Sequence, residues 1–168
     1  MRKVLPVAMM FILLSCYKKD VDPNTLNKTD KVFLNQVFVA NKAEIEAGQM
    51  ALRKSSHPLV QQFAISAIDH YTWSQADMNE VLQTIGYTLT DTAMVQAQSL
   101  ATLSSLEGFS FDTAYIKSRV RTHEALVKQY QQELNEGNHT YVRYYFLNRN
   151  LDQVRKNFYK ADSISRIL

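Results

Sequence analysis

The sequence predicts an all-α protein, a bundle of antiparallel helices, and three observations predict it. Glycine and proline are scarce, four and three in 168 residues, so tight β-hairpins lack the residues they need. Leucine, alanine and glutamine, which lose little side-chain freedom in a helix, are frequent. Apolar residues also recur at steps of three and four over long stretches, the spacing of one helix face.

The first helix is expected from Asp30 to about Lys54, with Phe33, Val37, Ala40, Glu44, Ala47 and Ala51 on one stripe and Lys42, Glu46, Gln49 and Arg53 outside. Pro58 disfavours helix at His57 and suits a first turn itself. A second helix therefore runs from Pro58 to about Ile85, with Phe63, Ala67, His70, Tyr71, Ser74 and Met78 inward and Gly86 as its stop. A shorter helix is expected from Asp91 to about Leu106. The fourth starts with Ser110 as N-cap and stops at Gly137, and the fifth starts near Thr140. Two long helices, a short one and two more long ones, joined by short loops, predict an antiparallel bundle.

Ahead of the bundle, "MRKVLPVAMMFILLSC" has Arg2 and Lys3, an apolar run from Val4 to Leu14, and small Ser15 before Cys16. That is the pattern of a secretory signal peptide, shorter than the roughly 20 apolar residues of a membrane span. Leu13-Leu14-Ser15-Cys16 resembles the lipobox of bacterial lipoproteins, whose cysteine becomes the lipid-modified first residue of the mature chain. Cys16 is the only cysteine, and lipidation gives it a reason to exist in an exported protein. The sequence divides into residues 1–16 as lipoprotein signal peptide, 17–29 as flexible tether and 30–168 as helical bundle. As a coil the tether reaches on the order of 20 Å.

Charge excludes one class of partner. Without Arg2 and Lys3 the 19 basic residues fall to 17, against 16 acidic ones, and the basic residues of the last helix alternate with Asp152 and Asp162. No basic face for nucleic acid emerges.

The order of motifs resembles a known family. "KAEIEAGQMA" at 42–51, "IDHYTWS" at 68–74 and "LSSLEGFSFDTAYIKSRVRTHEALVKQYQQEL" at 103–134, followed by the closing helix, are similar to the ferritin-like bacterial envelope family called domain of unknown function 4142. The resemblance implies a ferritin-like antiparallel four-helix bundle with one additional short helix. It also implies an exported, membrane-associated protein, with the outer membrane as the expected location. The family's polar pattern falls on Glu44, Glu46, Asp69, His70, His123 and Glu124. Its last-helix histidine is replaced here by Asn157.

His123 lies on a predicted apolar stripe with Ile116, Val120, Val127, Tyr130 and Leu134. Two-iron bundle proteins place a glutamate three residues before each ligand histidine, but Ala67 and Val120 occupy those places here. Di-iron oxidase chemistry is therefore not expected. A single zinc, iron or manganese ion held by Glu44, His70 and His123 is the metal alternative, with Glu46, Asp69, Glu124 and Asn157 as neighbours that would orient the ligands. The other expectation is no cofactor, with neutral His70 and His123 hydrogen-bonded to Glu44, Asn157 or a tyrosine in a buried network. Remaining possibilities include a partly open ligand cleft. Tyr141, Tyr144 and Tyr145 either cover the end of the core or form an aromatic patch for an envelope protein or glycan.

No thiol nucleophile survives processing, the serines sit at caps or surfaces, and no phosphate-cradling glycine pattern is present. The expectation is a lipid-anchored envelope protein, held in the membrane through acylated Cys16, acting as a non-catalytic binding or structural module. Its alternative is a metal-binding or metal-dependent envelope stress protein.

Overall fold

A computed structural model of the chain describes residues 22, 24–89 and 97–168. The leader with Cys16, residues 17–21 and 23 of the expected tether, and residues 91–96 of the expected third helix lie outside the described residues. Among the described residues there are helices and no strands: α1 Lys28–Lys54, α2 Pro58–Thr84, α3 Ala97–Ser104, α4 Gly108–Glu136, α5 Thr140–Arg149 and α6 Leu151–Ser165.

Helix α1 begins two residues before Asp30, because Asn27 and Asp30 form a reciprocal cap. The Asp30 amide donates to Asn27 Oδ1 at 2.9 Å and the Asn27 amide donates to Asp30 Oδ2 at 2.6 Å, satisfying donors that the first turn would otherwise leave free. Lys28 and Thr29, expected in the tether, are thus the first helical turn. Asn138 holds the chain further upstream, its side-chain amide donating to the carbonyls of Asp22 at 2.7 Å and Thr25 at 2.8 Å. Asn27 reaches back to the Glu136 carbonyl at 2.7 Å.

Pro58 opens α2 and Gly86 closes it, as its spacing predicts. At Gly86 φ is +64°, a left-handed value that favours glycine, and the Tyr87 amide bonds back to the Leu82 carbonyl at 3.0 Å. Helix α4 starts earlier than its expected Ser110 cap, with extended Glu107 as N-cap and Gly108 at φ +55°. Lys54 fixes that entry by donating to the carbonyls of Ser104 and Leu106 at 2.7 and 2.9 Å and to Glu107 at 2.5 Å. The single expected last helix is present as α5 and α6. Hydrogen bonds from Asn150 to Phe146 and from Val154 to Asn150, both 3.0 Å, carry the ladder across the break.

The pairs α1–α2 and α4–α6 pack most extensively, α1 against α4 and α2 against α6 close the ring, and short α3 lies against α1 and α4. Phe33 of α1 meets Tyr130 of α4 edge-on at 5.0 Å and Phe146 of α5 at 5.6 Å, tying three helices through one buried ring. Burying a side chain such as Phe33 stabilises the fold by about 1.5–3 kcal/mol.

Helix α4 is rotated from its expected stripe. Ile116, His123 and Tyr130 are buried, but Val120 and Val127 are half-buried and Leu134 is exposed, while Arg119, Leu126 and Glu133 point into the core. Helix α1 lies close against α2 at Gly48, where a Cβ would lie 2.7 Å from Ile68 Cγ1 and 3.3 Å from the Ala64 carbonyl. Overpacking of this kind costs about 1–3 kcal/mol, and alanine recovers about 1 kcal/mol of helix propensity. Gly48→Ala is therefore expected to lower stability by about 1 kcal/mol on those magnitudes. A urea midpoint equal to wild type would mean that Ile68 yields freely.

Candidate charged core

Glu44 on α1 and Arg119 on α4 meet in the middle of the bundle, with Arg119 Nη1 donating to Glu44 Oε1 at 2.5 Å. Their exposures are 0 % and 3 %, so solvent screens the pair little. His123, one turn after Arg119, is also at 0 % exposure, and its Nδ1 lies 2.7 Å from the Arg119 carbonyl. A carbonyl can only accept, so Nδ1 carries the hydrogen. That leaves Nε2 facing Glu44 Oε2 at 3.7 Å, beyond hydrogen-bond length. Burial first, then the attraction of Glu44 and the opposing charge of Arg119, leave the imidazole below its ordinary pKa. His123 is neutral at pH 7 on that balance.

His70 does not join this pair as a third ligand. It is buried on α2 with its ring 4.6 Å from that of Tyr71, and the Tyr71 ring is in turn 5.8 Å from His123. Burial, with the His123 charge second, lowers its pKa to about 4. Burial, with Glu44 second, raises the Tyr71 hydroxyl well above the usual phenol range, and Asn157 lies beside that hydroxyl. Tyr115 is shifted the same way by burial and then by Glu44. Both phenols stay neutral.

Glu46, Asp69 and Glu124, expected to orient the histidines, are exposed instead. Glu124 is paired with Lys128 at 2.8 Å on the helix surface. Around a helix Asp69 and Glu124 lie about 100 degrees from the adjacent histidines and Glu46 about 200 degrees from Glu44, enough here to reach solvent. Asn157 is buried, as its position beside the core implies, and accepts from Gln153 at 3.2 Å. A second polar link, Asn41 Nδ2 to Ser74 Oγ at 3.0 Å, joins α1 to α2.

The fit to a metal ion is poor. Among the described residues no three His, Cys, Asp or Glu side chains come together to hold an ion, and the Arg119 cation already occupies one Glu44 oxygen. The arrangement brings Glu44 and His123 together and leaves His70 to one side.

Sequence reasoning missed Arg119, and with it the partner of Glu44. It also missed a second charged node at the other end of α1. There Asp30 Oδ1 accepts from the amides of Asn138 at 3.0 Å and His139 at 3.1 Å. Fully buried Glu133 lies against Asp30. Burial and then Asp30 push the Glu133 carboxyl up to about 8, opposed by Arg143.

A four-helix bundle with an ion pair and a neutral histidine at its centre defines a class of helical domains with a charged core. Within that class the chain belongs to the family described as Domain of unknown function (DUF4142), whose model matches residues 18–164. No curated protein matches it. Among solved structures it is similar to a DUF305 fragment from Deinococcus radiodurans, with 13% identity, a TM-score of 0.75, and coverage of 85% of this chain and 99% of that one. It is similar also to a protein from Streptomyces coelicolor described as "putative secreted protein DUF305", at 13% identity and a TM-score of 0.63, covering 83% and 88% of the two chains. At such identity the likeness carries the fold.

Proposed function

We propose that this chain is a lipid-anchored protein of the bacterial cell envelope whose helical bundle serves as a non-catalytic binding or structural module. One observation carries the non-catalytic part: the Glu44–Arg119–His123 centre is closed on itself. A general acid or base must come within hydrogen-bond reach of its substrate. Glu44 and His123 have no exposed surface, and two grooves among the described residues lie elsewhere, one between α1 and α4 beside Val32 and Gln129 and the other beside Leu134 and Tyr144. A buried, mutually paired set of this kind fixes helix register, a role attested for buried polar groups.

The anchor rests on Leu13-Leu14-Ser15-Cys16 and on the lone cysteine. Description of the Streptomyces relative as secreted agrees with export. Placement in the outer membrane follows the sequence resemblance. Radiolabelled palmitate should enter the full-length protein and sediment with membranes, and Cys16→Ala should abolish the label. A processed, membrane-bound Cys16→Ala protein would overturn the anchor.

Elemental analysis of protein purified without chelators tests the non-catalytic, metal-free reading. The expected result is less than stoichiometric zinc, iron or manganese. One metal per chain, lost in a His70→Ala, His123→Ala double variant, would overturn it in favour of the metal-dependent alternative.

A further inference from the structure

At the end of the bundle where α1 begins and α4 finishes, two buried carboxyl groups meet. Asp30 of α1 and Glu133 of α4 are both at 0% exposure. Neither Glu133 oxygen has a donor, and the group that its carboxyl faces is Asp30. Asp30 itself accepts from three amides, that of Asn27 at 2.6 Å on Oδ2 and those of Asn138 and His139 at 3.0 and 3.1 Å on Oδ1. The charges that act on Glu133 are Asp30, which repels, and Arg143 of α5, which attracts but donates to the Leu134 carbonyl at 3.0 Å. His139, in the turn, has a buried Nδ1 without a partner. The chain passes directly over Glu133 at Gly137, where a Cβ would collide with Oε1.

Two carboxyl groups in contact can hydrogen-bond only when one of them carries a proton. Asp30 already serves three donors, so the proton belongs on Glu133 and is donated to Asp30. We propose that this one proton latches the chain ahead of α1 onto the bundle, and that its loss releases that chain. The fastenings run through the Asp30 carboxyl and the turn it holds. Its Oδ2 bond is half of the Asn27 cap, and Asn138, fixed by Oδ1, holds the carbonyls of Asp22 and Thr25 at 2.7 and 2.8 Å. With the proton gone, two anions share a dry site, and each disfavours the charge of the other. They part most easily at the first turn of α1, because chain ends open before cores do. Burial, and then Asp30, push the Glu133 carboxyl up to about 8 from 4.5, so the latched state keeps the proton over a range where a hydrated Glu133 would lose it. The preference for that state is full below about 4.5, shrinks up to about tenfold per pH unit above it, and is gone past about 8. Freed, the stretch from Asp22 to Asn27 adds about 20 Å of reach, at roughly 3.3–3.6 Å per residue. The latch sets how far the module stands from whatever holds the chain upstream, and it does not depend on the lipid anchor.

Hydrogen exchange followed by NMR on the full-length protein in detergent reads the latch at the Asn138 and His139 amides, with the amide of buried Ala47 on α1 as reference. Protection is each observed rate set against that of the same amide in an unfolded peptide at the same pH. Expected is a fall of more than about tenfold in the protection of Asn138 and His139 from about pH 5.5 to 7.5, with both less protected than Ala47 throughout. Glu133→Gln, a neutral isostere that can still donate to Asp30, should hold their protection level over that range. Glu136→Gln, on the exposed surface nearby, should keep the fall. Protection independent of pH in the wild type overturns the proposal. Protection equal to that of Ala47 at every pH overturns it too, since the chain then opens only with the whole bundle. So does a Glu133→Gln variant, folded by circular dichroism, that keeps the full fall. Should that variant fail to fold, the wild-type comparison with Ala47 decides alone. None of these outcomes alters the palmitate result, so failure of the latch and failure of the anchor are told apart.

Discussion

Arg119→Ala should destabilise the bundle by about 3–5 kcal/mol, the cost of leaving a buried charge without its partner. The domain has about 5–15 kcal/mol of total stability if it is typical, so much of the chain would unfold at modest urea. Glu44 supplies the reason. It has no exposed surface, Arg119 serves its Oε1, and its Oε2 faces only the lone-pair side of His123. Removing the guanidinium forces the carboxyl either to stay charged in a poor environment or to take up a proton. Replacing both partners, as Glu44→Met with Arg119→Met, should cost far less than the single change, because no orphaned charge remains and apolar pairs of similar volume often match buried ion pairs. Urea unfolding of the wild type, both single variants and the double variant gives the coupling directly. An Arg119→Ala midpoint equal to wild type would show that the pair is not buried as described.

Stability should fall as the pH rises from about 5 to 9, and Glu133→Gln should remove most of that fall. Both Glu133 oxygens lack a donor, and the carboxyl lies against Asp30, whose own oxygens already accept amide hydrogens. Arg143 is the opposing charge, and it moderates the shift without reversing it. With a folded pKa near 8 and an ordinary value of 4.5, the protonated acid binds its hydrogen more tightly in the folded state. Its stabilising contribution is fully present below about 4.5 and disappears through pH 8, an effect of at most about 5 kcal/mol at 1.36 kcal/mol per pKa unit. His70 works in the other direction. Lowered from 6.5 to about 4, it contributes stability above pH 6.5 that is lost as the pH falls through 4. The wild type should therefore melt highest in mildly acidic buffer, and thermal melts across pH 4 to 9 read both limbs. Parallel curves for wild type and Glu133→Gln above pH 6.5 would sink the assignment.

Helix existence was legible because periodicity, Pro58, Gly86 and Gly137 all report local chemistry. The orientation of α4 was not. Val120, Val127 and Leu134 offered an apolar stripe one position away from the real one, and a stripe containing Arg119 and Glu133 reads as solvent-facing when charge alone is weighed. One signal could have corrected it. Asp30 and Glu44 are fourteen residues apart on α1, and Arg119 and Glu133 are fourteen apart on α4. In antiparallel helices that spacing sets Asp30 against Glu133 in the same register that sets Glu44 against Arg119. Two matched polar pairs, four turns apart, identify the facing stripes better than hydropathy does. A slip of one heptad would place Arg119 opposite Val37 or Ala51, a charge against an apolar side chain. The Lys54 clamp at the start of α4 was hidden for a related reason: its partners Ser104, Leu106 and Glu107 are distant in sequence.

The Asn138 clasp changes how the bundle meets a load. Tension arriving from the N-terminal side reaches Asp22 and Thr25 first, and both carbonyls are held by the turn between α4 and α5. Asn27 passes the same pull to Glu136 at the end of α4. Stretching the chain there stresses several bonds in parallel across two helices, instead of peeling α1 open one turn at a time. A domain pulled from this end resists as a sheared joint does, and Asn138→Ala should turn it into a zipper.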